Sequence, residues 1–329
     1  MSQTKNPMKT VLKVFAVLVL LIVLTGGGLF AWASRSSSLS LARTIETHTV
    51  SFPIPFPLDS AEAAGLDEED ADALAFDRAV ERGAHLVEAR YACMECHGEN
   101  LGGGTMIDDP AIGTILGPNI TGGPGSRVGV FRPADWDRIV RHGVLLGGRP
   151  AAMPSEDFQR MSDQELSDIV AYIRSLPPVE NTVPAPTLGP VGKILMATGQ
   201  LTLSADEIES HDTQHRVEPP AADTTVEFGR HLAGVCTGCH SATLAGGPIV
   251  GGDPAWPPAG NLTPHPAGLA DWTSEQFVIA MREARRPDGT EFLPPMDVVS
   301  AYGQRMTDVE LQALWMYLRT LPPLPTPEG

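Results

Sequence analysis

Two short stretches decide the fold of this chain: Cys93-Met94-Glu95-Cys96-His97 and Cys236-Thr237-Gly238-Cys239-His240. They contain all four cysteines, so no cysteine is left for an independent disulfide framework. Both follow the pattern Cys-x-x-Cys-His, and the second begins 143 residues after the first. A match of this kind at two places indicates that one unit of the fold is duplicated.

The sequence on either side of the two motifs repeats with them. Glu81-x-Gly83-x-His85-Leu86 returns as Glu227-x-Gly229-x-His231-Leu232, and the closing segments Tyr172–Pro178 and Tyr317–Pro323 correspond in the same way. The offset between repeats stays between 141 and 146 residues. Such a long period predicts two tandem domains rather than a solenoid. We place the domains at residues 76–178 and 224–329, with a linker over 179–223.

Each repeat predicts several helices joined by loops rich in glycine and proline. The closing helix is marked by a capping box, Ser162-x-x-Glu165 in the first repeat and Thr307-x-x-Glu310 in the second. No stretch alternates like a β-strand, so the predicted class is all-α. The other expected helices cover 76–90 and 226–233, follow Pro133 and Trp272, and cover 191–201 in the linker.

The N-terminal segment 1–33 predicts a membrane anchor. Lys5, Lys9 and Lys13 precede an uncharged run from 14 to 33, which is long enough for a helix to cross a bilayer. Lysines on the cytoplasmic side would place everything after this segment on the periplasmic, extracytoplasmic side. The alternative is a signal peptide cleaved after Ala33, which would leave a soluble periplasmic protein.

Residues 34–75 are expected to form a tether rich in serine and proline. Within it, Phe52-Pro53-Ile54-Pro55-Phe56-Pro57 alternates proline with apolar residues. Such a segment either extends as a stiff polyproline II spacer or packs across the folded domain through Phe52, Ile54 and Phe56.

The charge of the chain excludes one class of partner. It has 23 Lys and Arg against 40 Asp and Glu, a formal net charge of −17. The segment after residue 33 is more acidic still, with 20 basic against 40 acidic residues. An acidic surface repels phosphate backbones, so no nucleic-acid partner is expected.

The Cys-x-x-Cys-His pattern is typical of covalent haem attachment. Two thiols three residues apart add to the vinyl groups of one haem, while the adjacent imidazole reaches the iron. A structural zinc site normally has four ligands in a closed arrangement, whereas each repeat offers two thiols and one adjacent histidine that is poorly placed to join both cysteines on one ion. A redox dithiol of the thioredoxin kind would need a βαβ context, which is absent from the sequence pattern. We therefore expect two covalently bound haem c groups. Their attachment and proximal residues are Cys93, Cys96 and His97 in the first repeat, and Cys236, Cys239 and His240 in the second.

Met153 and Met296 are the predicted distal iron ligands. Each lies 56 residues after the histidine of its motif and stands beside a proline. A thioether opposite an imidazole fills the coordination of the iron and raises its potential, which suits electron transfer. The competing candidates are Met161 and Met306, which a hydrophobic staple at the start of the closing helix explains better, and His85 and His231.

These motifs make the chain resemble the class I c-type cytochromes, in particular the exported di-haem cytochromes that accompany membrane-linked dehydrogenases. The resemblance covers about 76–178 and 224–323. Relatives often have Met-Pro at the distal ligand, as in Met153-Pro154, whereas the second repeat has Met296-Asp297. The resemblance implies an electron carrier without catalysis of its own, which passes electrons from a dehydrogenase to a respiratory acceptor.

The resemblance also suggests roles for two further pairs of residues. The segments that begin at Asn119 and Asn261 resemble the loop beside the haem propionates, although they also match a glycosylation sequon. Arg141 and Arg282 fall near the end of the third helix, where each would meet a propionate or remain solvated.

A di-haem peroxidase that reduces hydrogen peroxide is the alternative function. It too would be exported and would carry two Cys-x-x-Cys-His motifs. However, peroxide chemistry needs an iron with an open distal position, and both repeats offer methionine at the same spacing. The sequence therefore favours the carrier.

Overall fold

The computed structural model describes residues 7–48, 50–249 and 255–327. Lys5 and the last two residues of the predicted second domain lie outside the described residues. Helices dominate the described part of the chain. In the first half these are α1 (Pro7–Ala42), α2 (Glu68–His85), α3 (Cys93–His97), α4 (Pro133–His142) and α5 (Asp163–Ser175). They continue with α6 (Pro190–Ala197), α7 (Ser204–Glu207), α8 (Val226–Leu232), α9 (Thr237–His240), α10 (Ser274–Glu283), α11 (Val299–Gly303) and α12 (Asp308–Thr320).

A small antiparallel sheet corrects the predicted all-α class. It has the order β1 (Gly104–Asp109), β2 (Gly113–Gly117) and β3 (Thr187–Leu188). The pattern of apolar residues did not reveal it because β1 is mostly exposed and a bulge interrupts its register with β2. The strand β3 comes from the predicted linker, so this linker begins as part of the first half's structure.

The repeated glycines Gly83 and Gly229 allow the first and last helices of each repeat to cross closely. A Cβ on Gly83 would lie 2.1 Å from the carbonyl oxygen of Asp168 in α5. A Cβ on Gly229 would lie 1.9 Å from the carbonyl oxygen of Ala313 in α12. No side chain fits at either distance, so the duplicated glycine reflects a duplicated helix crossing.

Both predicted capping boxes are present. The hydroxyl of Ser162 accepts from the backbone N–H of Glu165, and the Glu165 carboxylate accepts from the N–H of Ser162. Thr307 and Glu310 make the same reciprocal pair at the start of α12. The structure thus starts both closing helices where the sequence predicts them.

Two helix boundaries differ from the sequence prediction. The helix α2 begins at Glu68, about eight residues early, because Asp67 caps it by accepting from the N–H of Asp70. At its other end α2 continues into a π-helical turn over Leu86–Arg90. The helix α1 extends past the expected end of the anchor, through the serine-rich stretch, to Ala42.

The helix α1 is long and apolar enough to cross a membrane. Its candidate span covers Val11–Ala42, within which an 18-residue window has a mean hydropathy of 2.6 and is not buried against the rest of the protein. A signal sequence would meet the same criterion. Farther along, Ala33 and Ser37 are buried where α1 contacts α6.

The tether packs on the first half of the molecule instead of extending away from it. Phe52 is buried in the first hydrophobic core, and Ile54 and Phe56 contact that core. The carbonyl of Pro53 accepts a hydrogen bond of 2.7 Å from Ser167 of α5. Of the two sequence interpretations, the structure therefore agrees with packing across the domain.

Two separate hydrophobic clusters form the interior. The first contains Trp136 of α4 together with Leu166 and Val170 of α5. The second contains Phe228 of α8 and Leu311 of α12. Most of each cluster comes from one repeat, although Ala89 of the first repeat belongs to the second cluster and Val235 of the second repeat contacts the first.

Candidate functional site

The helices α3 and α9 place the two motif histidines in the same setting. The Nδ1 of His97 lies 2.8 Å from the carbonyl oxygen of Pro118, and the Nδ1 of His240 lies 2.7 Å from that of Gly260. A carbonyl only accepts, so each Nδ1 carries the proton and each Nε2 keeps a free lone pair. This is the orientation of a histidine prepared to ligate metal.

Both imidazoles are buried and neutral. Burial lowers the pKa of His97 and of His240, and the carbonyl at each Nδ1 opposes this only in part. Burial likewise raises the pKa of the Cys93 thiol and of the Cys236 thiol to about 12. Burial thus favours the neutral form of both the imidazole and the first thiol in each motif.

A glycine lets the loop of β2 close over the first motif. A Cβ on Gly117 would lie 1.8 Å from the carbonyl oxygen of Cys96, so no side chain is tolerated there. The next residue, Pro118, supplies the carbonyl that orients His97. The small sheet, which the sequence did not predict, therefore ends directly before the residue whose carbonyl orients His97.

The surroundings of the first motif fit a haem. Trp136 is buried in the first core, and its indole N–H has no hydrogen-bond acceptor among the described residues. A buried indole N–H normally donates to a hydrogen-bond acceptor. The carboxylate of a haem propionate is such an acceptor and would satisfy the N–H of Trp136. In the second half, the buried hydroxyl of Tyr302 is unpartnered among the described groups in the same way.

The two candidate distal methionines take different local positions. Met153 packs against the first core, which Cys93 also contacts. Met296 is partly buried and begins a 3₁₀ turn, Met296–Val298, that leads into α11. Their competitors Met161 and Met306 are buried beside Leu166 and Leu311 within the two cores, as the hydrophobic staple predicts.

His85 and His231 connect the two halves of the molecule. The Nε2 of His85 lies 2.9 Å from Glu310, and the Nε2 of His231 lies 2.9 Å from Glu165. Each histidine thus binds the capping-box glutamate of the other repeat.

Arg141 and Arg282 each pair with the first residue of the closing helix of their repeat. Arg141 is fully buried and lies 2.7 Å from Asp163, at the start of α5. Arg282 lies 2.7 Å from Asp308, at the start of α12, and keeps 31% of its side chain exposed. In both repeats this arginine ties the third helix to the closing helix. The expectation of a solvated arginine is therefore wrong for Arg141 but agrees with the partly exposed Arg282.

Asn119 and Asn261 are structural in both repeats. Each side chain is buried, and its Oδ1 accepts from the threonine two residues later. The Nδ2 of Asn119 donates to the carbonyl of Val179, and that of Asn261 donates to the carbonyl of Leu324. A buried amide of this kind is not accessible for glycosylation.

One cluster of polar side chains escaped the sequence analysis. His48, Asp137, His142 and His215 bring ligand atoms within 4.8 Å of one another beside the first half. These residues lie far apart in the chain, so no local motif joins them. The available signal was the spacing His211-x-x-x-His215, which falls in the range seen in zinc sites.

Comparison with known proteins identifies the first half of the chain. Residues 78–173 match the family model described as "Cytochrome C oxidase, cbb3-type, subunit III". The repeat that contains Cys93 and His97 is therefore a c-type cytochrome domain, which implies a covalently attached haem c with its iron. This confirms the resemblance drawn from the motifs.

The relatives that match over most of the chain are cytochrome subunits. The cytochrome c subunit of the quinone alcohol dehydrogenase of Gluconacetobacter polyoxogenes is 28% identical over 275 residues, 76% of this chain and 57% of its own length. The cytochrome subunit of fructose dehydrogenase from Gluconobacter japonicus is 26% identical over 77% of this chain and 55% of its own length. This chain thus spans little more than half of these relatives.

A shorter relative is covered more completely. A diheme cytochrome c-type protein of Cereibacter sphaeroides is 25% identical over 70% of this chain and 82% of its own length. The dehydrogenase-associated relatives are electron-transfer subunits rather than catalytic ones, in agreement with the sequence prediction. They do not favour the peroxidase alternative.

Proposed function

We propose that this chain is a di-haem cytochrome that carries electrons from a membrane-bound dehydrogenase to a respiratory acceptor. The two haem domains cover 76–178 and 224–329, and α1 holds them at the extracytoplasmic face of the membrane. The observation that carries the proposal is the matched pair of motif histidines, His97 and His240, each with Nδ1 on a backbone carbonyl and Nε2 free. The named dehydrogenase relatives support a dehydrogenase as the donor.

In this proposal each haem is held by one set of residues from its own repeat. Bound haem iron accepts and releases one electron. Cys93 and Cys96 would attach the first haem and Cys236 and Cys239 the second, while His97 and His240 would ligate the irons. Met153 and Met296, each 56 residues after its histidine, would supply the second protein ligand of each iron.

A direct contact between the two halves supports electron transfer within the chain. Met153 and Pro154 lead into the 3₁₀ turn Ser155–Phe158. In that turn, Asp157 accepts a hydrogen bond of 2.9 Å from the backbone N–H of Gly238, inside the second motif. The segment that would hold the first distal ligand therefore touches the residues that would attach the second haem.

The haem count tests the core of the proposal. We expect two haems per purified chain, which remain attached when the denatured protein is extracted with acidified organic solvent. The double substitution Cys236→Ala and Cys239→Ala should leave one. Haem that the solvent extracts from the unmodified protein, or a count of one, would contradict the di-haem assignment.

The donor is tested by isolating the detergent-solubilised chain with its bound partners. Co-purification of a dehydrogenase whose substrate reduces both haems is the expected result. Reduction by a dehydrogenase that acts on an alcohol, a sugar or a sugar acid would identify the donor class. Rapid turnover of hydrogen peroxide by the isolated chain would instead support the peroxidase.

A further inference from the structure

We propose that His48, Asp137, His142 and His215 form a structural zinc site, separate from both haem motifs. The four residues come from three parts of the chain: the tether, the helix α4 and the linker. Their candidate ligand atoms lie within 4.8 Å of one another. Their side chains range from fully buried to 11% exposed.

Hydrogen bonds to backbone carbonyls fix two of the three imidazoles in the tautomer that binds metal. The Nδ1 of His48 lies 2.8 Å from the carbonyl oxygen of His211, and the Nδ1 of His215 lies 2.9 Å from that of Gln159. Since a carbonyl only accepts, both Nδ1 atoms carry the proton and both Nε2 atoms keep a lone pair. Carbonyl groups orient ligating histidines in metal sites in this way.

The tautomer of the third imidazole, that of His142, is fixed by its hydrogen bond to His211. The Nε2 of His211 lies 3.1 Å from the carbonyl oxygen of Ala205 and therefore carries the proton of that ring. Its Nδ1 is then an acceptor, 3.1 Å from the Nδ1 of His142. His142 must donate through Nδ1, which leaves its Nε2 with a lone pair as well.

Three lone pairs and a carboxylate oxygen now face one point. The Nε2 atoms of His142 and His215 are 3.2 Å apart, with no proton between them in these tautomers. The Nε2 of His48 and the Oδ2 of Asp137 are buried and have no hydrogen-bond partner among the described residues. Lone pairs that face one another repel, and a cation between them removes the repulsion and satisfies all four atoms.

The distances suit a small tetrahedral ion. The Nε2 atoms of His48 and His142 each lie 3.8 Å from Oδ2 of Asp137, and the Nε2 of His215 lies 3.8 Å from Oδ1 of the same carboxylate. Tetrahedral zinc with bonds of about 2.0–2.1 Å separates its ligands by roughly 3.3 Å, so small side-chain shifts complete the site. Three imidazoles and one carboxylate, with no position left for water, make a closed site of the structural kind.

The charges near the cluster are compatible with a divalent ion. Arg141 donates to Oδ1 of Asp137, but the positive charge of Arg141 is also balanced by Asp163 at 2.7 Å. The other oxygen of Asp137, Oδ2, has no hydrogen-bond partner among the described residues. The tautomers fixed by these hydrogen bonds leave three neutral imidazoles, which are the form that binds zinc. The bound ion would fasten the tether and the linker to α4.

The test begins with the metal content of the unmodified protein. The full haem-loaded chain is purified in detergent through a tag without histidine, and its metals are measured by mass spectrometry. We expect one zinc per chain in addition to the haem iron. X-ray absorption at the zinc edge should show three nitrogens and one oxygen at about 2.0–2.1 Å. A fully haem-loaded protein that contains no zinc and does not bind added Zn²⁺ in calorimetry would overturn the proposal.

Substitutions then test the ligand set. His48→Gln and His215→Gln should each abolish stoichiometric zinc while haem content and visible spectrum remain unchanged. His211→Ala removes only a positioning residue and should keep zinc with an affinity lowered roughly 10- to 100-fold. His265→Ala, outside the cluster, is the matched control and should bind zinc normally. A His48→Gln protein that keeps zinc with an unchanged absorption spectrum would refute this ligand set.

Discussion

At the scale of single residues, the proposed redox role depends most on Met153 and Met296. We expect Met153→Ala or Met296→Ala to open one iron to exogenous ligands and lower the potential of that haem, because the thioether's preference for ferrous iron is lost. Binding of carbon monoxide and a spectroelectrochemical titration measure the two effects. A spectrum that Met296→Ala leaves unchanged would move the second distal ligand to another residue.

The neighbouring methionines provide the matched controls for these substitutions. Met161 is 2% exposed and Met306 is 8% exposed, each within a hydrophobic core. Replacement by alanine should cost about 2–5 kcal/mol of stability through lost contacts and a cavity. The haem spectra should not change. A high-spin haem in Met161→Ala would show that the staple assignment is wrong.

Single residues also show what the sequence could and could not predict. Repetition identified the motif histidines, because His97 and His240 recur in an identical local pattern. It did not reveal that His85 and His231 bind the opposite repeat, since a contact across an interface leaves no trace in local spacing. The cluster around His142 was missed for the same reason.

At the scale of elements, the capping-box glutamates of the two closing helices also bind the opposite repeat. One oxygen of Glu165 completes the cap of α5 while the other accepts from His231 of the second repeat. Glu310 does the same for α12 with His85 of the first repeat. Arg90 lies between the two carboxylates and contacts both. Helix capping and the contact between halves therefore share the same two side chains.

Removal of one charge from this group should destabilise the contact between halves. Glu310→Gln can still cap α12 but leaves the half-buried Arg90 without one of its two carboxylates. We expect a loss of about 3 kcal/mol, measured by chemical denaturation, since breaking a buried pair is costly. Glu227→Gln, which breaks the exposed pair with Arg216, is the control and should cost less than about 1 kcal/mol. Equal effects of the two substitutions would contradict this account.

The same carboxylate predicts how stability depends on pH. Burial alone would raise the pKa of Glu310, but the hydrogen bond from His85 and the charge of Arg90 outweigh it and lower the pKa to about 2. The stability it contributes is therefore complete above its ordinary value of 4.5 and is lost as the pH falls towards 2. Thermal unfolding between pH 5 and pH 2.5 should show a shallower decline for Glu310→Gln than for the unmodified protein. Parallel curves would refute the assignment.

The helix α1 carries the prediction about location. We expect the protein to stay in the membrane fraction after an alkaline carbonate wash, because residues 11–32 are exposed and apolar. Sequencing of the mature N-terminus decides between anchor and signal peptide. A soluble protein that begins at Ser34 would show cleavage, with the remainder of α1 left packed against α6.

At the scale of the whole molecule, the repeat and the pattern of helices follow from the sequence, whereas the arrangement of the connecting segments does not. The tether and the linker both have amino-acid compositions typical of segments that connect domains without packing on them. The structure packs Phe52 into the first core, and it pairs Thr187 and Leu188 of the linker with β2. Alternating proline and apolar residues such as Phe52, Ile54 and Phe56 suit both a stiff spacer and a segment packed on the domain, so the sequence pattern could not decide between them.

The acidic charge of the chain after residue 33 should govern how the molecule meets its redox partner. After residue 33 the chain carries 20 basic and 40 acidic residues, so it attracts the basic faces of other proteins. Salt at physiological ionic strength screens this attraction beyond about 8 Å. We expect the bimolecular rate of electron delivery to a basic acceptor to fall as ionic strength rises, measured by stopped-flow reduction. An uncharged chemical oxidant should show no such dependence and is the control. A rate to the protein acceptor that does not change with salt would mean that the charge only keeps the protein soluble, and that docking relies on apolar contact or on a permanent complex.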